Sequence, residues 1–188
     1  PDRVDGTQDL FTNSECGIIG ICLDPNFGSN GYLYIFATTS NTTQRIYRYT
    51  AGTDGSGNLV GGSRVQIGID LPTNGNNHDG GGIGISQADG HLYWSIGNLG
   101  NGIHAGGNPD RTSLASKVGR MNRTSGDPIA DNPYNTDDTR TARNYIWASG
   151  FRNPFTLTFH PVTQALWVNV VGEAYEQAFI VARDSDAG

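Results

Sequence analysis

Charge is scarce in this chain. Lys, Arg, Asp and Glu make up 16% of its 188 residues, which excludes a polyelectrolyte and argues against disorder driven by charge. Basic residues are the scarcer kind, 12 against 18 acidic ones. The resulting formal charge of −6 argues against nucleic acid as a partner, because phosphates need a basic face. No apolar run reaches the ~20 residues that span a bilayer. The opening Pro1-Asp2-Arg3-Val4-Asp5 does not read as a secretory leader. Cysteine is limited to Cys16 and Cys22. They flank what reads as a single strand, and six extended residues cover roughly 20 Å, whereas a disulfide needs Cα atoms within ~7 Å. The two are expected to stay unpaired, as small buried hydrophobes. Helical pattern is nearly missing, and only Thr112–Lys117 suggests a turn or two.

Turns and strands are abundant instead. The 27 glycines, 8 prolines and the 3 Trp, 8 Tyr and 7 Phe point to many short strands joined by tight connections. One pattern occurs three times: an apolar strand, a turn, and a return strand with leucine and an aromatic near its start. The copies run from Gly17 to Ala37, from Gly82 to Ile96 and from Phe155 to Val170, each arm alternating apolar with small or polar residues. Further strands are expected at Gln44–Tyr49, Ser63–Ile69, Lys117–Asn122 and Gln177–Ala182. Leu33, Leu92 and Leu166 mark corresponding positions, 59 and then 74 residues apart, which leaves room for one blade plus loops per repeat. The pattern predicts an all-β chain of about three four-stranded β-propeller blades, with a sandwich or a barrel as the alternatives. Three blades do not close a ring. Residues 1–188 therefore read as an incomplete propeller, extended by more of the same protein or by other chains. The polar stretch from Asp127 to Arg143 reads as a long surface loop, and Asp54 to Asn58 as a hairpin tip. Asn41-Thr42-Thr43 and Asn122-Arg123-Thr124 are N-glycosylation triplets, which favour a secreted or periplasmic location.

Three clusters stand out chemically. In Asn76-Asn77-His78-Asp79-Gly80-Gly81-Gly82, the glycines would let backbone approach a ligand while the imidazole stays exposed; a glycine-rich lead-in to a strand with a surface histidine is the plainer alternative. Without a G-x-S-x-G elbow or a GK[ST] phosphate loop, esterase and nucleotide readings fail. Gly150-Phe151-Arg152-Asn153-Pro154 offers a guanidinium fork and an amide, or is simply a turn before a strand. The segment from Val171 to Gln177 offers a glycine carbonyl and the carboxylates of Glu173 and Glu176, which are oxygen ligands that calcium accepts, or else solvated surface.

The stretches GIIGICLDPNFGSNGYLYIF (17–36), HDGGGIGISQADGHLYWSIGN (78–98), SLASKVGRMNRTSGDPIADNPY (113–134) and IWASGFRNPFTLTFHPVTQALWVNVVGEAYEQ (146–177) together resemble the soluble quinoprotein sugar dehydrogenases of the glucose/sorbosone dehydrogenase family. The resemblance covers most of the chain from Glu15 onward. It implies half of a six-bladed propeller holding pyrroloquinoline quinone (PQQ) and calcium (Ca2+), with an aldose or related sugar as substrate. His78 matches the family's general base, which takes the proton of the anomeric hydroxyl. Arg152 and Asn153 match a pair that contacts the quinone, Glu15 falls where Gln or Glu lies near it, and Gly172, with Glu173 beside it, matches a carbonyl ligand of calcium. Three positions depart from the pattern: Val170 and Gln177 replace acids in the calcium loop, and Asn98 replaces the aspartate after the second hairpin. These departures leave open a catalytically inactive secreted propeller that serves in adhesion, glycan or other ligand binding, or extracellular assembly.

Overall fold

In a computed structural model, residues 10–100 and 110–188 are described. Among them, eleven strands form three antiparallel sheets. The first holds β1 (Ile18–Leu23), β2 (Tyr32–Ser40), β3 (Thr43–Thr53) and β4 (Leu59–Pro72). The second holds β5 (Ile83–Ile85), β6 (Leu92–Ile96), β7 (Lys117–Met121) and β8 (Ile146–Ser149). The third holds β9 (Pro154–Phe159), β10 (Leu166–Val170) and β11 (Gln177–Val181). Each sheet is a meander in which sequence neighbours pair, as turn-rich alternating segments favour. The third sheet has three strands among the described residues. Two one-turn helices, α1 (Phe27–Asn30) and α2 (Ala142–Tyr145), complete the elements. The expected helical turn at Thr112–Lys117 is not helical. Tight turns carry Arg111–Ser116, where Ser116 takes the left-handed conformation (φ 62°), and Lys117 already opens β7.

The leading strands of the three sheets meet: β1 touches β5, and β5 and β6 touch β9. The sheets are thus wedges about a common axis, in the manner of propeller blades. The middle blade is buried on both faces, and so β6 is buried along its whole length. Leu92, Trp94 and Ile96 pack with Tyr34, Phe36 and Ile46 of the first blade, while Tyr93 packs with Leu166 and Val168 of the third. A polar tie joins the first two blades at Asp24, whose Oδ2 accepts from Arg123 Nε (3.1 Å) and Tyr34 Oη (3.2 Å). Burial pushes the Asp24 carboxyl up, but the Asn26 N–H, the Asn30 amide and Arg123 together hold it below the usual carboxylate range.

Glycine serves this packing. A Cβ at Gly20 would lie 2.3 Å from the Gly81 carbonyl oxygen, and one at Gly81 would lie 2.9 Å from that of Ile19. The glycines after His78 thus let leading strands approach one another, as the plainer reading of a glycine-rich lead-in to a strand expects. Cys16 and Cys22 are both free thiols. Asn41 is exposed in the β2–β3 turn; Asn122 is half-buried, and its Oδ1 accepts the N–H groups of Thr124 and Ser125. Among the described residues, no helix is long and apolar enough to cross a membrane.

Candidate active site

Each leading strand starts at the same end of the blades, and the segment just before it carries the singled-out residues: Glu15 before β1, His78 before β5, and Arg152 and Asn153 before β9. The fold brings these together across large sequence distances. Glu15 Oε2 accepts the backbone N–H of His78 (2.8 Å) and Nδ2 of Asn153 (3.2 Å). Asn153 Oδ1 in turn accepts the N–H of Gly80 (3.1 Å). Asn153 is 1% exposed, and its amide braces Glu15 and the glycine run from within the protein.

Asn98, at the end of β6, joins the two remaining groups. Its N–H donates to the Arg152 carbonyl (2.7 Å), and its Oδ1 lies 2.7 Å from His78 Nδ1. The same Oδ1 accepts the Gly100 N–H (3.1 Å), which fixes it as the carbonyl side of the amide. An acceptor there requires His78 Nδ1 to carry the hydrogen, so the neutral ring keeps its lone pair on Nε2. Gly97 permits this crowding: a Cβ would fall 2.2 Å from the His78 carbonyl oxygen and 2.9 Å from that of Arg152. His78 itself adopts φ 57°, a left-handed conformation that costs a non-glycine residue ~1–2 kcal/mol.

Arg152 is half-buried beside a cleft of about 500 Å³ lined in part by Phe151, Val170, Gly172 and Phe179. Its Nη1 donates to the carbonyls of Val171 (2.9 Å) and Gly172 (3.0 Å). The carbonyl matched to a calcium ligand therefore already carries a guanidinium hydrogen bond, and a divalent cation on it would face that positive charge. Val170 adds an apolar side chain, and Glu173 and Glu176 are exposed. Among the described residues, no three His, Cys, Asp or Glu side chains gather as metal ligands would. These donors do not suit calcium. The Arg152 fork is anchored through Nη1 beside the cleft, and a guanidinium held in this way suits an anionic group such as a carboxylate better than a cation. From the sequence Asn98 stood only as a departure, Cys16 only as a small buried hydrophobe, and Asp79 only as a neighbour of His78; the structure joins Cys16 and Asp79 by a hydrogen bond. A signal for Asn98 was its place immediately after the repeated hairpin.

Three meander sheets whose leading strands meet, with a histidine, a guanidinium and a carboxylate before those strands, make up part of a β-propeller. Residues 1–178 match the profile of the glucose/sorbosone dehydrogenase family, and the chain belongs to that family. An uncharacterized protein of Synechocystis is 30% identical over 180 residues, covering 88% of this chain and 40% of that protein. Two solved structures are similar in fold. The PQQ-bound aldose sugar dehydrogenase of Streptomyces coelicolor has a TM-score of 0.76 and 24% identity, over 95% of this chain and 49% of that one. The apo form of the soluble aldose sugar dehydrogenase of Escherichia coli has a TM-score of 0.69 and 19% identity, over 97% and 52%. The chain thus spans about half the length of these structures, as three blades of a partial β-propeller.

Proposed function

We propose that this chain contributes the proton-accepting side of a PQQ-dependent centre that oxidises an aldose or related sugar, in a secreted or periplasmic setting. The observation that supports it most is the fixed tautomer of His78. With Nδ1–H directed at Asn98 Oδ1, Nε2 is available to accept the proton of the anomeric hydroxyl as that carbon is oxidised. PQQ, when bound, supplies the acceptor for the hydride that leaves the same carbon. Arg152 would hold a PQQ carboxylate with the part of its fork turned from Val171 and Gly172. Asn153 and Glu15 act by position: together they fix the backbone of His78 and Gly80 relative to β9.

The test is to add PQQ to the purified protein and follow dye reduction across a panel of sugars. His78→Gln should retain PQQ as the wild type does while losing turnover by about 10²-fold or more, the usual contribution of a positioned base. Failure to retain the cofactor, together with no turnover, rejects the reading. It would leave a non-catalytic propeller for adhesion, glycan binding or assembly, which the guanidinium on the Gly172 carbonyl favours.

A further inference from the structure

Behind the imidazole lies a polar pocket that the proposed chemistry does not use. Asp79 is fully buried, and its bonded side-chain partners among the described residues are neutral donors: Cys16 Sγ to Oδ2 (3.1 Å) and Thr73 Oγ1 to Oδ1 (2.6 Å). Gln44 Nε2 reaches the Asp79 carbonyl at 3.3 Å. Thr38 and Gln44 are also fully buried, and Thr38 Oγ1 and Gln44 Oε1 find no hydrogen-bond partner of good geometry among the described residues. A buried carboxylate without its donors is costly, so this pocket strongly constrains where Asp79 can lie.

The pocket matters because Asp79 follows His78. Glu15-Cys16 and His78-Asp79 face each other as two rungs: the Glu15 carboxylate accepts the His78 N–H, and the Cys16 thiol donates to the Asp79 carboxylate. The Leu99 N–H on the His78 carbonyl (3.3 Å) and the Gly80 N–H on Asn153 also hold this stretch, and the Cys16 rung adds the hold on the Asp79 side chain. In this stretch His78 sits at φ 57°, a conformation that a relaxed chain would leave. We propose that Cys16 is a positioning residue, whose hydrogen bond to Asp79 holds the His78 backbone in its left-handed conformation and so keeps the imidazole against Asn98. This rests on the role proposed for His78. The thiol suits the task as a donor and not as a nucleophile. Burial first, and then the Asp79 carboxylate, push it up to about 12, so it keeps its hydrogen across any working pH.

The experiment compares Cys16→Ala with Cys16→Ser, which keeps a donor, using hydrogen exchange of the backbone amides 78–80 and sugar-dependent dye reduction with PQQ present. Hydrogen bonds to charged groups contribute ~1.5–3 kcal/mol, so Cys16→Ala should speed exchange at these amides about tenfold or more. It should lower kcat by a similar factor at little-changed KM, and leave exchange in β6 and β7 as it was. Cys16→Ser should restore both within about threefold. Wild-type exchange at amides 78–80 in Cys16→Ala overturns the inference, as does faster exchange throughout the chain, or a serine variant as impaired as the alanine one. If Cys16→Ala does not fold, Thr73→Val, which removes the other donor, must show the same local signature. If the wild type turns over no sugar, the reading of His78 as a base fails, and the exchange measurements alone decide whether Cys16 holds its backbone.

Discussion

Replacing Lys117 with methionine should make the protein more stable, and the gain should vanish in alkali. Lys117 opens β7 and is 1% exposed. Its Nζ donates to the Ala115 carbonyl at 3.1 Å. Burial lowers its pKa from 10.5 to about 8, with Asp110 and Asp186 opposing that shift. At ~1.36 kcal/mol per pH unit, the displacement corresponds to roughly 3 kcal/mol held against the folded state while the ammonium is charged in both states. Below about pH 8 this full penalty applies. Between about 8 and 10.5 the unfolded lysine keeps a proton that the folded one has released, so stability rises with pH. Above 10.5 the penalty is gone. Methionine fills similar space and carries no charge, so Lys117→Met should gain about 2–3 kcal/mol at pH 7, less the Ala115 bond and the other contacts that Lys117 makes. With a urea slope of ~1–3 kcal/mol/M, the midpoint should move up by about 0.7–3 M. Urea unfolding followed by tryptophan fluorescence at pH 7 and pH 10.5 measures both numbers, and other titrating groups cancel between variant and parent. A variant no more stable at pH 7, or an advantage that persists unchanged at pH 10.5, would refute the reasoning.

Other expectations concern the site and the contacts between blades. Asn98→Asp replaces an amide acceptor with a carboxylate against His78 Nδ1–H, and a charge-assisted bond there favours the protonated ring. The acid limb of the pH–rate profile should move to higher pH, and an unchanged limb would disconnect Asn98 from catalysis. Arg123→Ala leaves the buried Asp24 without its cation and should cost about 3 kcal/mol in urea unfolding. The Asp24 carboxyl is held low, so its stabilising contribution is present above the ordinary carboxylate pKa and is lost as pH falls through the folded value. The difference between Arg123→Ala and the wild type should therefore shrink in acid. Gly119→Ala would place a Cβ 2.0 Å from Trp94 Cζ2 and should destabilise by at least ~1–3 kcal/mol through forced repacking, read as a lower thermal midpoint.

Much of the fold was legible because blade strands alternate with period two and their hairpins repeat. The limits were local. In β4 only Ser63–Ile69 was read, although the strand runs Leu59–Pro72, because Gly61 and Gly62 interrupt the alternation near its start. Helix α2 is one turn long, too short for a 3.6-residue period to show. Thr112–Lys117 misled because composition does not reveal that Ser116 turns left-handed. In the site, His78 and Arg152 were visible from their unusual neighbours. The braces around them were not, because Glu15 meets His78 and Asn153 across 63 and 138 residues, and Cys16 meets Asp79 across 63. Periodicity carries no information about pairs so distant. The run Gly80–Gly82 shows a related limit: it marks close approach without saying whether strand or ligand approaches.

The meander has a kinetic consequence. Every ladder joins sequence neighbours, so the first and third sheets close short loops, while the second must close the longer connections 97–116 and 122–145. The group around His78 borrows from all three sheets and exists only after they have docked. On refolding, the circular-dichroism signal of the strands should return first, and the environment of the imidazole last. Whatever slows docking between sheets will then delay the competent site without delaying secondary structure.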